Sequence, residues 1–403
     1  MITRGCLECL VCGQKFVVRV GIGLEEICTH TFDCHNCFTP ITVQAKIGPP
    51  PQAWLEYKEN CKSAKEDALV QSVVNLHPSI AFRASEYHSQ YAFPSMQLTN
   101  LAGPYMRVPA GARARDVALH FELPHTKQLW MIVESVIRLH LQGDPAAVLQ
   151  KQIARYAEKR REFSPTFTCS TVFKCVASFL DDVFFPAIGN LRQPLRALVH
   201  QLRSTQPDRL KEFTAHYRAE LERPNLEAYL AVLQDYFANF DQFRQLLVFA
   251  RVANEEVDDL IVGAKKFNDV KLFYGQAYET LTSAYVTLAC LNNIKQSRSF
   301  DSFASMSLNK YIKDVEKAKR SNPFAAEAVL AAFTQWDDSA LRNGSHHAAI
   351  GREGELVKYR SGGTGAEREI AYSRYVHLCN GITIALAALL LVELQEFSTL
   401  SAL

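Results

Sequence analysis

Leu341-Arg342-Asn343-Gly344-Ser345-His346-His347-Ala348-Ala349-Ile350 is the stretch around which the rest of the chain is read. It sets an arginine, a polar residue directly after it and a histidine five positions on between two long helical patterns. Arginine is a permanent planar cation suited to phosphate. Histidine takes or gives a proton near neutral pH. Cleavage of a phosphodiester by an RNA's own 2′-hydroxyl needs those two functions and no metal. On an unbroken helix, residues five apart point about 140° away from each other. Asn343-Gly344-Ser345 is a poor helix interior, so the sequence predicts a break that swings His347 round toward Arg342. The alternative is that the pair converges with its copy in a second subunit.

Upstream, Asn322-Pro323 reads as a helix start. Val329, Phe333, Trp336 and Ala340 then recur at helical spacing, so one helix is expected to deliver the chain to Arg342. Asp337 and Asp338 are too few for a catalytic carboxylate cluster and are expected to face solvent. Downstream, Leu356–Tyr359 and Ile370–Tyr372 flank Ser361-Gly362-Gly363-Thr364-Gly365 like a hairpin on its turn. That glycine cluster precedes no P-loop Lys-Ser/Thr, so it reads as a turn. Tyr375 to Glu393 makes a closing helix. Its apolar run, Ile382 to Val392, is too short to span a bilayer and reads as buried.

The region before it is helical for most of its length. Leu129–Leu141, Ala146–Phe163, Phe167–Leu191, Gln193–Arg203, a helix opened by Pro224 and running through Val252, and Leu272–Asn293 all carry amphipathic or buried patterns. The basic run Lys151, Arg155, Lys159, Arg160, Arg161 is diluted by Glu158 and Glu162 and reads as a solvated face. Ala53–Leu76 has helical character, and Val117–Leu123 suits a strand. His77, His88, His120 and His125 show no metal-ligand spacing on one element and read as packing or surface histidines.

The head of the chain is different. Of 11 cysteines, Cys6, Cys9, Cys12, Cys28, Cys34 and Cys37 crowd the first tenth. Cys9-Leu-Val-Cys12-Gly13 and Cys34-His-Asn-Cys37 are C-x2-C pairs separated by 21 residues. Phe16, Val18 and Val20 after the first pair, and Ile41, Val43, Ala45 and Ile47 after the second, alternate with period two. Four thiolates on two tight turns make a tetrahedral Zn²⁺ site, whose binding free energy would compensate for a small core. Cys6-Leu-Glu-Cys9 has the same C-x2-C spacing, so Cys6/Cys9 competes with Cys9/Cys12 for the first pair. Gly13 favours the latter, since it permits the tight turn. Cys28, His30 and His35 are weaker candidates. The pattern resembles a zinc ribbon, a module that clips structure or docks a partner; nucleic-acid contact through Lys15, Arg19 and Lys46 is a weaker reading. Gly48-Pro49-Pro50-Pro51 is a stiff linker and a domain boundary.

The totals fit a soluble protein of two or three domains. The chain has 403 residues, 48% of them hydrophobic and 21% charged, with a formal net charge of +2. So small a net charge leaves no global electrostatic footprint, and any nucleic-acid surface must be local. The first dozen residues lack the apolar core of a secretory signal, and an odd cysteine count then favours thiols and metal over disulfides. The expectation is a cytoplasmic protein with no membrane contact.

Arg342-Asn343 followed by His347, late in a helical half and ahead of a final apolar helix, resembles the HEPN ribonuclease family, whose motif is Arg, four to six residues, then His. The resemblance is specific over Ala340–Ile350 and looser over roughly residues 225–403. It implies a mainly α protein with a C-terminal helical bundle, paired into a homodimer that brings two motifs together. It also implies metal-independent RNA cleavage, often in toxin or antiviral abortive-infection systems. By position Arg342 would stabilise charge on the phosphate, His347 would act as general base or acid, and Asn343 would orient one of them. The adjacent His346 leaves the identity of the histidine open. A regulated branch of the family carries a tyrosine two residues after the histidine, where this chain has Ala349.

The expected organisation is a zinc ribbon at 1–48, a mostly helical middle at 49–224 and a HEPN-like bundle at 225–403. The ribbon or the middle region would take a protein partner or a phage-derived trigger. A rival of another class is a non-catalytic scaffold that binds nucleotide or nucleic acid.

Overall fold

The structure, a computed structural model, describes residues 2–49, 52–65, 72–105, 122–143, 146–346, 349–361 and 365–399. The fold is mainly helical with a β-rich N-terminal region. Two compact units emerge, each assembled from interleaved segments. The first comprises Met1–His125, Asn239–Leu272 and Gly344–Asn380; the second comprises Thr126–Ala238, Phe273–Asn343 and Gly381–Leu403.

The strands all belong to the first unit: β1 (Ile2–Cys9), β2 (Lys15–Gly21), β3 (Ile27–Asp33), β4 (Pro40–Ile47), β5 (Ala53–Glu59), β6 (Cys61–Ser63), β7 (Val73–Leu76), β8 (Phe82–Arg83), β9 (Leu260–Ile261), β10 (Ile350–Glu353), β11 (Leu356–Arg360) and β12 (Glu367–Ala371). One sheet has the order β6-β1-β2-β7, with β7 parallel to β2 and the other pairs antiparallel. A second is the antiparallel meander β3-β4-β5. Period-two alternation does what it predicts: Phe16, Val18 and Val20 from β2 and Ile41, Val43 and Ala45 from β4 enter one core. The expected hairpin is present as β11-β12, in the register Val357↔Ile370, and β10 extends it to three strands. The glycines Gly362 and Gly363 of its turn lie outside the described residues.

A helix over Ala53–Leu76 is not what forms. Leu55 and Tyr57 face the core while Glu56 and Lys58 pair beside them, a strand alternation, and β6 and β7 follow. Gly5 makes the close approach possible, because a Cβ there would meet the Tyr57 hydroxyl at 2.5 Å. Most of the Val117–Leu123 stretch lies outside the described residues, as does His120. His77 is buried, its Nδ1 accepting from the Ser79 backbone N–H at 3.1 Å, and His88 Nδ1 bonds the Val73 carbonyl at 3.0 Å. Both serve as packing groups.

The second unit is built from helices Thr126–Gln142, Ala146–Arg161, Val172–Phe184, Ala187–Thr205, Pro207–His216, Glu222–Ala238 and Phe273–Lys295, with part of Tyr372–Glu396. Its aromatic core stacks Trp130 on Phe237 at 4.6 Å, with Phe179 at 5.1 Å from Phe237. Burying side chains of this size contributes about 2 kcal/mol each. Arg160, read as part of a solvated run, is buried instead: it pairs with Asp182 and lies over the Phe163 and Phe167 rings. Phe167–Leu191 is not one helix, since the chain breaks at Phe185-Pro186. Nor does Pro224 open one. The helical run continues from Pro207 through a π-helical segment at Tyr217–Leu221 into Glu222–Ala238. Within that segment the Glu222 N–H donates to the Tyr217 carbonyl, an i to i+5 bond two residues ahead of Pro224. Helix Phe240–Arg251 then forms separately in the first unit.

Tyr372–Glu396 is long and apolar enough to cross a membrane, yet 94% of its most apolar window is buried within the structure. Its Glu393 is fully buried and accepts from the Tyr217 hydroxyl at 3.0 Å, from Asn225 at 3.2 Å and from Thr287 at 2.5 Å. Burial pushes its carboxyl up to about 7 despite these donors.

Candidate functional site

Each cysteine pair occupies the turn of an antiparallel hairpin, Cys9/Cys12 between β1 and β2 and Cys34/Cys37 between β3 and β4. The turns share a backbone design. Gly13 N–H donates to the Cys9 carbonyl at 2.9 Å, and Phe38 N–H donates to the Cys34 carbonyl at 2.8 Å. Both donors sit in the left-handed region, at φ 72° and 57°. A glycine there is unstrained, whereas a phenylalanine costs about 1–2 kcal/mol. The Phe38 ring nevertheless stands 72% exposed, and Leu10 and Val11 of the first turn are exposed as well.

The turns bring Cys9, Cys12, Cys34 and Cys37 together with all four sulfurs within 4.8 Å of one another. Cys9 and Cys37 Sγ are 3.8 Å apart and Cys12 and Cys34 Sγ 3.6 Å. A tetrahedral Zn²⁺ with Zn–S bonds of about 2.3 Å requires sulfur–sulfur edges of about 3.8 Å. The donor set therefore fits a structural Zn²⁺, with four thiolates filling the coordination shell and no position left open for substrate. Among the described residues no other such group of potential ligands occurs. Cys6 lies outside it, its Sγ directed at the Lys65 carbonyl at 3.8 Å, which decides the pairing for Cys9/Cys12. Cys61, read over in the sequence, sits cross-strand from Cys9 and bonds the Thr42 carbonyl.

Without metal the thiols differ. The Asn36 side chain, with Gln14, brings Cys12 down to about 6, and burial pushes Cys34 up to about 12. A coordinated dication overrides such differences by deprotonating every ligand. Of the cations considered for nucleic-acid contact, Arg19 and Lys46 are engaged within the unit. Arg19 donates to Asn75 Oδ1 at 3.0 Å and to the Ser89 carbonyl, while Lys46 pairs with Glu56 at 2.6 Å.

Arg342 and Asn343 lie on helix Ser339–His346. The chain reaches it through short turns, Asn322–Phe324, Ala328–Ala331 and Ala332–Thr334, in place of the single helix expected. Asp338 precedes the helix and its Oδ1 accepts from the backbone N–H groups of Ala340 (2.8 Å) and Leu341 (3.0 Å), capping it. Asp337 is half-buried, accepts from the Tyr285 hydroxyl at 3.0 Å and is pushed up to about 6 by burial. Neither aspartate is the solvent-facing residue that the sequence suggested.

The Arg342 guanidinium is held by Glu279 of helix Phe273–Lys295. Nε and one terminal nitrogen both reach Glu279 Oε1, and the other terminal nitrogen donates to Asn343 Oδ1 at 2.7 Å. The second carboxylate oxygen of Glu279 takes the Lys317 ammonium, which also donates to the Glu279 carbonyl at 3.2 Å. Burial acts to raise Glu279, but Lys317 and Arg342 outweigh it and hold it below the usual carboxylate range. The three side chains are 23–31% exposed, so the cluster is reachable from solvent. Glu279 and Lys317 carry no motif; only contact in the folded chain identifies them.

The expected break at Asn343-Gly344-Ser345 does not occur: the helix runs on through all three. Gly344 and Ser345 are buried, and a Cβ on Gly344 would approach Tyr359 Cβ to 2.9 Å. Packing on β11 thus stabilises a helix that intrinsic propensity disfavours. On this unbroken helix the residue four after Arg342, and so on its face, is His346, which is exposed. His347 lies outside the described residues.

In comparisons with known proteins, no family model, no curated protein and no solved structure matches the chain.

Proposed function

We propose that this chain is a metal-independent endoribonuclease of the HEPN type, working as a homodimer, with its cysteine-rich head a zinc ribbon that docks a partner. The observation that carries the reading is the half-buried Arg342 guanidinium, oriented by Asn343 and set on a capped helix with a histidine on the same face. A histidine, His347 by motif spacing or His346 by helix geometry, takes the proton of the RNA 2′-hydroxyl. That oxygen attacks phosphorus, Arg342 stabilises the charge gathering on the phosphate oxygens, and the 5′-oxygen leaves with a proton. The products are a 2′,3′-cyclic phosphate and a 5′-hydroxyl. The cytoplasm is the setting, and toxin or antiviral defence, released by a partner or a phage-derived trigger, is the role.

Purified protein should cut RNA in Mg²⁺-free buffer and leave cyclic phosphate ends. Arg342→Ala should lower the rate at least about 100-fold, and of His346→Ala and His347→Ala one should do the same. Variants as active as the wild type would sink the assignment. The compensation of Arg342 by Glu279 favours a second reading, in which the site binds RNA without cutting it; stable binding with no cleavage products would select that one.

A further inference from the structure

We infer that Lys317 is a second phosphate-binding residue of the Arg342 site, and that Glu279 is the counter-ion an RNA phosphate displaces; this rests on the RNA-directed reading above. One carboxylate faces two cations here, Arg342 on one oxygen and Lys317 on the other. These three side chains together carry one surplus positive charge in a place only about a quarter to a third exposed, while the nearby Asp338 carboxylate is engaged by the helix cap. Two cations on a single carboxylate repel each other, and half-burial weakens the solvent screening that would relieve them. A phosphodiester carries one negative charge. Seated between the two cations, with Glu279 turned aside but still beside them, it would neutralise the surplus, bonding to the guanidinium through its planar fork and to the ammonium as a point charge.

Lys317 is held in place for this role. It sits in a short 3₁₀ turn, Lys317–Lys319, within a segment pinned to helix Phe273–Lys295. The buried Arg320 donates to the Ile312 carbonyl at 2.7 Å, to that of Val315 at 3.4 Å and to that of Thr282 at 3.5 Å. The buried Tyr311 hydroxyl closes the turn on the Arg320 carbonyl at 2.5 Å. An ion pair that served only to decorate the surface would need none of this anchoring. The same segment presents Lys310 and Lys313 to solvent together with Asp314 and Glu316, so Lys317 alone of this segment is assigned to the phosphate.

The test uses the full-length protein and a 2′-O-methyl oligonucleotide, which cannot be cut, with its dissociation constant measured across a salt series. Lys317→Gln should weaken binding about three- to tenfold at low salt and shrink the slope of log K against log salt by about 0.7. Lys317→Arg should restore both. Glu279→Gln, which keeps the shape but removes the competing charge, should bind about three- to tenfold tighter. Unchanged affinity and slope in Lys317→Gln, no tightening in Glu279→Gln, or no binding by the wild type would overturn the inference. Binding that follows this pattern in a protein that cuts no RNA would defeat the nuclease reading and leave the phosphate site standing. Cleavage that needs Arg342 but is indifferent to Lys317 in rate, KM and slope would do the reverse.

Discussion

The cysteine cluster and the Arg342 cluster differ in how they are encoded. The four sulfurs come from two hairpin turns within the first forty residues, each pair set by its own spacing and the two turns meeting where the two sheets share a core. Arg342 stands in a motif just as short. Yet the groups that surround it and position its helix come from helix Phe273–Lys295, from the turn at Lys317 and from Asp338. Metal coordination is a local geometry with obligatory distances, so the sequence writes it as a spacing. Ion pairing tolerates many donors, so its partners are scattered and only packing selects them.

The largest test of this contrast is removal of a metal ligand. Cys34→Ser should abolish binding of one Zn²⁺ per chain and forfeit a binding free energy of about 10 kcal/mol. Native mass spectrometry would read the metal, and hydrogen exchange over residues 2–47 the loss of the sheets. A head that keeps its protection without metal would mean that the cysteines are ornamental. At the other cluster, Asp338→Ala removes a cap and should cost about 1 kcal/mol, visible as a lowered Tm. Because the cap fixes the start of the Arg342 helix, oligonucleotide affinity should fall with it; a loss of stability at constant affinity would show the helix to be positioned by packing alone. The smallest effect returns to the metal turns. Phe38→Gly relieves about 1–2 kcal/mol of left-handed strain and returns about 0.5–1 kcal/mol as chain entropy. The net gain should be about half a kcal/mol in urea unfolding. A loss instead would reveal that the exposed Phe38 ring is held by contacts worth more than the strain.

What the sequence discloses follows the same division. The strands after each cysteine pair, the hairpin around Ser361–Gly365 and the helices beginning near Thr126, Ala146 and Phe273 are legible because each is a periodic pattern on a continuous stretch. Ala53–Glu59 misleads because its apolar richness hides the alternation of Leu55 and Tyr57 against Glu56 and Lys58. Asn343-Gly344-Ser345 misleads for the opposite reason. Its low helix propensity is plain, but the contact of Gly344 with Tyr359, which decides the outcome, is made by a residue fifteen positions on. Pro224 looks like a start signal because the helical run that continues through the π segment upstream of it leaves no trace in composition. Of the Arg342 site, the arginine and asparagine are readable; Glu279 and Lys317 are not, being single charged residues on unremarkable elements.

Helix Tyr372–Glu396 contributes its first nine residues to one unit and the remainder to the other. Each unit is therefore closed by a segment that leaves the ribosome long after its opening strand or helix. A truncation upstream of residue 372 removes residues from the last segment of both at once. A fragment cut to contain the cysteine hairpins alone, or the arginine motif alone, would not be a smaller version of this protein but an unfinished one.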